Sequence, residues 1–191
     1  MPIRLVTTQE KGVKDYRWAM VKTAWGYAAF VCRNLVLCRF FLPRQNRESI
    51  FEAIQSEFVS GQRDDELLAK LQQALRKYFS GGKVEFDCAV DITWAGEFAQ
   101  MVLRECCKIK PGQVVTYKQL ACRVGRGAAR SVGAVMKSNR VPLIIPCHRV
   151  VSANGGLGGY SAPGGLVVKK RLLAFEKSTI FAKSKNLVSK G

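Results

Sequence analysis

Apolar positions along the chain recur in two rhythms. Aromatic and β-branched residues crowd Thr23 to Cys32 and again Leu35 to Leu42, on either side of Arg33-Asn34. Two such runs about a short polar break predict a β-hairpin. Val84 to Val90 alternates and predicts a third strand. Between them the spacing is helical, with Ile50, Phe51, Ile54 and Phe58 inside Asn46 to Val59, and Leu67, Leu68, Leu71 and Leu75 inside Asp64 to Phe79. Acids stand near both helix starts, and Gly81-Gly82 closes the second. This half reads as a small α/β scaffold domain over 1–91, a three-stranded antiparallel sheet with helices.

From Asp91 the pattern changes. A helix is expected over Ala95 to Lys108, with Phe98, Met101 and Val102 on one face and Lys110-Pro111-Gly112 as its stop. Thr116-Tyr117-Lys118-Gln119 has the spacing of a capping box opening a short helix to about Val124. Gly125 to Gly127 breaks it, and Ala128 to Ser138 resumes with Ala128, Val132 and Val135 facing inward. Helix, tight turn, helix is the form of a helix-turn-helix, and Val150 onward, turning at Asn154-Gly155-Gly156, supplies a hairpin wing. A final helix is expected over 166–177. The expected second domain is thus 92–178, a winged helix-turn-helix, followed by a flexible basic tail over 179–191.

Charge divides the same two halves. The chain has 191 residues, 48% of them hydrophobic, and a net charge of +17. Fifteen basic and 13 acidic residues lie between Met1 and Glu105, against 16 basic residues and one acid, Glu176, from Cys106 onward. The second half therefore carries +15, which points to a polyanion as partner. The second helix of the helix-turn-helix is built of small residues, Gly127, Ala128, Ala129, Ser131, Gly133 and Ala134, with Arg130 the one long side chain among them. Small residues permit close approach to a narrow groove, with Arg130 as a probe. The long apolar run from Ala24 to Leu42 contains Arg33, Asn34 and Arg39, which argues against a membrane span, and Met1 to Glu10 lacks the pattern of a secretory leader. Seven cysteines without paired spacing suit a reduced compartment, so the expected location is cytoplasmic, or nuclear in a eukaryote.

The candidate chemistry lies in Ile144-Ile145-Pro146-Cys147-His148-Arg149-Val150-Val151, which holds the chain's only histidine. A thiol needs help to react near neutrality because the thiolate is the nucleophile. Basic surroundings favour the thiolate, His148 can take the proton, and Glu176 can orient the imidazole. In an extended segment adjacent side chains point apart, so a bridging water is expected between Cys147 and His148.

These residues, with Asn139-Arg140-Val141-Pro142 before them and Gly159-Tyr160-Ser161 after, resemble the signature of the O6-alkylguanine-DNA alkyltransferases, also called methylated-DNA–protein-cysteine methyltransferases. The resemblance covers about Thr93 to Lys177. It implies a ribonuclease H-like N-terminal domain and a protein, probing duplex DNA from the minor groove with little sequence preference, that acts as a monomer without a cofactor. By the same resemblance, Cys147 would take the alkyl group from O6-alkylguanine, and from O4-alkylthymine, once and irreversibly. Arg130 would replace the flipped base in the duplex, with Ala129 and Ser131 beside it at the DNA. Tyr117 would strain the neighbouring phosphate and help protonate the leaving guanine. Tyr160 and the Ser161 amide would hold the base, Asn139 would brace the turn before Cys147, and Arg149 would bind structure around the site.

The pattern departs from the family in two places. Ala162-Pro163 stand where some members run from Tyr-Ser directly into Gly-Gly, and no histidine precedes Cys147 to serve the N-terminal zinc that some members carry. Cys32, Cys38 and Cys88 lack paired ligand spacing, so no metal is expected. The rival class is a non-catalytic lesion sensor or winged-helix regulator that binds DNA without chemistry, disfavoured by the presence of Cys147. A papain-like thiol hydrolase needs a histidine remote from the cysteine and is disfavoured further.

Overall fold

The computed structural model describes residues 3–7 and 15–188, with side chains described as far as residue 178. The chain divides into two compact units, Met1–Gly96 with Arg140–Ile144, and Glu97–Asn139 with Ile145–Gly191.

The first unit is built on one mixed sheet. Its strands are β1 (Arg4–Val6), β2 (Tyr16–Thr23), β3 (Gly26–Arg33), β4 (Val36–Arg44), β5 (Gln62–Arg63) and β6 (Ala89–Asp91), in the order β1-β6-β4-β3-β2-β5. The expected hairpin is β3 and β4, joined at Asn34 and Leu35, whose φ of 50° and 62° suits a two-residue turn that follows the twist of the strands. The expected three-stranded antiparallel sheet is corrected to six strands. Only β2, β3 and β4 pair antiparallel, while β1 and β4 run parallel to β6 and β2 runs parallel to β5. Of Val84 to Val90 only the end is strand, since β6 begins at Ala89. β2 was not expected because Arg17 and Lys22 interrupt its apolar positions.

Helix α1 (Arg47–Glu57) starts at Asn46, whose side chain accepts from the Glu48 amide, as an N-cap should. Ile50 and Ile54 bury completely against Trp18, Ala29, Val31 and Phe41. Phe51, expected inward, is 46% exposed. Helix α2 (Ala69–Phe79) begins five residues later than Asp64 because Leu68 has a φ of 46°, which no right-handed helix tolerates. The Gln72 side chain instead ties Asp65 O and Leu67 O into a turn before it.

The second unit opens with α3 (Glu97–Cys107), which buries Val102, Leu103 and Cys106, while Phe98 and Met101 stay half-buried. Strand β7 (Val115–Thr116) leads into α4 (Tyr117–Val124), where both hydrogen bonds of the expected capping box form between Thr116 and Gln119. Gly125, at φ 76°, ends it. Helix α5 (Ala129–Lys137) buries Val132, Val135 and Met136, whereas Ala128 is exposed at its N-cap. A single 3-10 turn, Cys147–Arg149, runs into β8 (Val150–Val151). Beyond β8 the chain turns tightly between Ser152 and Gly156, but β8 pairs parallel with β7 rather than with a returning strand, so the expected hairpin wing is corrected. Helix α6 (Gly165–Val188) passes the expected end at Lys177. The side chains of the expected basic tail, 179–191, lie outside the described residues. Among the described residues no helix is long and apolar enough to cross a membrane.

Candidate active site

Cys147 opens the 3-10 turn at a point where Pro146 cannot donate, so the turn's first free amide is its own. The Cys147 amide donates to Ile145 O at 2.8 Å. The same carbonyl accepts from Asn139 Nδ2 at 2.9 Å, which fastens the end of α5 to the approach of the turn. The turn corrects the expectation of an extended segment. Cys147 is 5% exposed, and burial pushes its thiol above the ordinary value. An Asn139 side-chain hydrogen bond, the Lys169 charge and the amides of Cys147 and His148 act in the opposite direction.

His148 is fully buried, and its Nε2 lies 2.9 Å from Glu176 Oε1. Burial lowers the imidazole pKa, and the Glu176 carboxylate only partly restores it. For Glu176, burial by itself favours the neutral acid, but hydrogen bonds from His148 and Arg149 hold the carboxyl well below the usual range. An ionised Glu176 can only accept, so the proton of a neutral imidazole belongs on Nε2. Nδ1 is then the basic nitrogen, and it is buried without a hydrogen-bond partner among the described residues.

Arg149 completes this cluster. Its Nε reaches Glu176 Oε2 at 3.0 Å, its Nη2 reaches Oε1 at 2.7 Å, and its Nη1 reaches Ile109 O at 2.6 Å. Glu176 also accepts from the Gly112 amide at 3.1 Å. One carboxylate of α6 thus holds the imidazole, the guanidinium and the loop after α3. Charge-assisted pairs of this kind are strong when, as for the Glu176 carboxylate here, both oxygens have donors.

Lys169, within the expected final helix, was not singled out as a site residue by the sequence. It is fully buried, and its Nζ donates to Val150 O at 2.6 Å and Gly159 O at 3.3 Å. Burial lowers its pKa to about 8, against the partly restoring influence of Cys147 and Cys106. The signal for it was present: Lys169, Leu172 and Glu176 share the spacing of one helix face, and all three are buried. Nζ lies 5.7 Å from the centre of the Tyr117 ring. The Tyr117 hydroxyl donates to Gly159 O at 3.4 Å. Gly158, at φ 67°, lets the loop close on that ring, since a Cβ there would stand 2.6 Å from Tyr117 Cε2. Burial and then Cys147 raise the Tyr117 phenol pKa.

The structure therefore brings Cys147, His148, Arg149, Glu176, Asn139 and Tyr117 into one cluster, with Lys169 added. Ala129, Arg130 and Ser131 are exposed on the first turn of α5. Ala128 makes no side-chain cap there, which leaves the first amides of the helix open. Ser161 is exposed, and its hydroxyl donates to Lys137 O at 2.7 Å, joining the loop before α6 to the end of α5. Tyr160 is half-buried. Among the described residues no three His, Cys, Asp or Glu side chains are grouped as metal ligands.

A family model described as 6-O-methylguanine DNA methyltransferase, DNA binding domain, matches residues 97–178. A methylated-DNA–protein-cysteine methyltransferase of Methanothermobacter thermautotrophicus is 39% identical over 110 residues, covering 57% of this chain and 61% of the relative. One from Metallosphaera sedula is 41% identical over 117 residues, covering 61% of this chain and 72% of the relative. Among solved structures, Mycobacterium tuberculosis OGT in complex with DNA superposes with a TM-score of 0.70 at 28% identity, covering 85% of this chain and 94% of that one. The chain belongs to the methylated-DNA–protein-cysteine methyltransferase family.

Proposed function

We propose that this protein repairs O6-alkylguanine in duplex DNA by moving the alkyl group irreversibly to Cys147, and that it accepts O4-alkylthymine by the same route. The observation that carries the reading is the Glu176–His148 pair, which leaves the basic Nδ1 of His148 unengaged inside the cluster that holds the Cys147 thiol. A buried thiol with a raised pKa is inert until its proton is removed. His148 Nδ1 takes that proton, through a bridging water, and Glu176 stabilises the imidazolium. The Cys147 sulfur then attacks the alkyl carbon. A carbon–sulfur bond forms, the bond from that carbon to O6 breaks, and its electrons stay on the base, which leaves as guanine after gaining a proton. The thioether is stable, so each molecule acts once.

O6 is stacked inside the duplex, so the base must be flipped out before the sulfur can reach it. Arg130, on the exposed first turn of α5, fills the space the base leaves, entering from the minor groove. Ala129 and Ser131 let the helix approach closely, and its uncapped amides face phosphate. Tyr117 contacts the phosphate next to the lesion and helps deliver the proton to the departing guanine. Tyr160 and the Ser161 amide hold the flipped base. Asn139 braces the Cys147 turn through Ile145 O, and Arg149 keeps Glu176 ionised. No cofactor enters these steps. The excess of positive charge after Cys106 draws the protein, as a monomer, onto DNA without regard to sequence in the cytoplasm or nucleus.

The test is incubation with an oligonucleotide bearing O6-methylguanine, followed by intact mass and peptide mapping. One methyl group on Cys147, absent from Cys147→Ser, is the expected result. No gain in mass, or a gain that persists in Cys147→Ser, overturns the proposal.

A further inference from the structure

Four non-glycine residues among those described have positive φ: Asn34, Leu35, Leu68 and Leu143. The first three lie in exposed or half-buried turns. Leu143, at φ 74°, is 1% exposed. A bulky side chain in left-handed backbone is strained, and such strain persists only where the surroundings over-determine the conformation.

The surroundings here do so. Arg140–Ile144 packs as part of the first compact unit. Its start is held twice, by the Phe40 amide donating to Arg140 O at 3.0 Å and by the Arg140 guanidinium lying 4.8 Å from the Trp94 ring centre. Val141, Leu143 and Ile144 are each 1% exposed. Only Ile144 then separates Leu143 from Ile145, whose carbonyl accepts both the Asn139 side chain and the Cys147 amide.

We propose that the left-handed backbone of Leu143 is a positioning device for the acceptor thiol: it sets the direction in which the chain enters Ile145 and so holds the Ile145 carbonyl between Asn139 and the Cys147 turn. Glycine would reach the same φ without strain but would also reach others. Leucine, fixed by its buried side chain, reaches one. The strain is the consequence of using a core residue to fix a turn. The inference rests on Cys147 being the alkyl acceptor.

The test compares full-length wild type, Leu143→Ala and Leu143→Gly. The rate constant for alkylation of Cys147 by free O6-benzylguanine is read by intact mass, at a temperature where circular dichroism shows each protein fully folded. Both variants lose the buried side chain, but only glycine accepts positive φ at no cost. Leu143→Ala is expected to react roughly tenfold or more slowly than wild type, because small misplacements of a reacting group have large kinetic effects. Leu143→Gly is expected to recover at least half of that loss on a logarithmic scale. Equal rates for the two variants, or glycine slower than alanine, overturn the inference. If Leu143→Ala does not fold, Leu143→Val makes the same comparison, since it keeps an apolar side chain while disfavouring positive φ. A wild type that leaves Cys147 unmodified overturns the acceptor reading instead, so the two failures are distinct.

Discussion

His148 Nε2 and Glu176 Oε1 stand 2.9 Å apart in a site from which both side chains are excluded from solvent. That contact decides the imidazole tautomer and hence which nitrogen can act as a base. Because burial lowers the His148 pKa below its ordinary value of 6.5, the neutral form persists below that pH. Alkylation of Cys147 by O6-benzylguanine is therefore expected to hold its rate as pH falls from neutrality to 6.5 and to decline only below it. His148→Ala is expected to slow transfer by about 10²-fold, the lower end for a lost general base, with little change in DNA affinity. Single-turnover rates across pH, set beside a DNA titration, measure both.

Glu176 also carries a stability prediction. Its folded carboxyl pKa lies well below the unfolded value, so the folded state gains from ionisation. That contribution is fully present above the unfolded pKa of about 4.3 and is lost as pH falls from there towards the folded value. Glu176→Ala leaves Arg149 buried without its counter-charge, and breaking a buried pair in this way costs about 3–5 kcal/mol. Urea unfolding at neutral pH and at pH about 3 is expected to show a large deficit for Glu176→Ala in the first condition and a smaller one in the second.

The features legible in the sequence were those set by neighbours in the chain. The Thr116–Gln119 capping box and the turn between β3 and β4 depend on residues a few positions apart, and both are present. Pairing between distant segments was not legible. β7 and β8 are two residues each, too short to show a period, and their parallel register replaces the expected wing. The cysteine, histidine and glutamate could be listed from composition because there is one histidine and one acid in the basic half. Arg149 as their hub could not, since a charged side chain is ordinarily solvated and burial is a tertiary property; the helix-face spacing of Lys169 with Leu172 and Glu176 was legible, but the carbonyls that take its amine come from distant segments.

Lys169 yields a prediction of opposite sign to that of Glu176. Its folded pKa, about 8, lies below the ordinary 10.5, so the folded state holds fewer protons than the unfolded state between these values. Stability rises with pH wherever the unfolded state binds more protons. Wild type is therefore expected to gain on Lys169→Met as pH is raised from 8 towards 10.5, with little relative change between pH 6 and 7. Measuring urea midpoints of the two proteins in parallel cancels the titration of groups they share. A constant difference across the alkaline range would show that the amine keeps its proton in the fold.

Arg130 separates recognition of DNA from chemistry. It lies on the exposed first turn of α5, and none of the hydrogen bonds that hold the Cys147 turn involves it. Removing it should leave the reactivity of the thiol unchanged. In duplex DNA, however, the flipped base must be replaced in the stack, and unstacking costs a few kcal/mol that a filling side chain offsets. Arg130→Ala is expected to react with free O6-benzylguanine within about twofold of wild type, yet to repair O6-methylguanine in a duplex at least 10-fold more slowly, since 1.4 kcal/mol already corresponds to a factor of ten. Placing the lesion opposite a mismatched base should shrink the deficit, because a weakened pair needs less help to open. Equal losses with the free base and the duplex would assign Arg130 to the fold rather than to flipping. A deficit unaffected by the mismatch would assign it to binding alone.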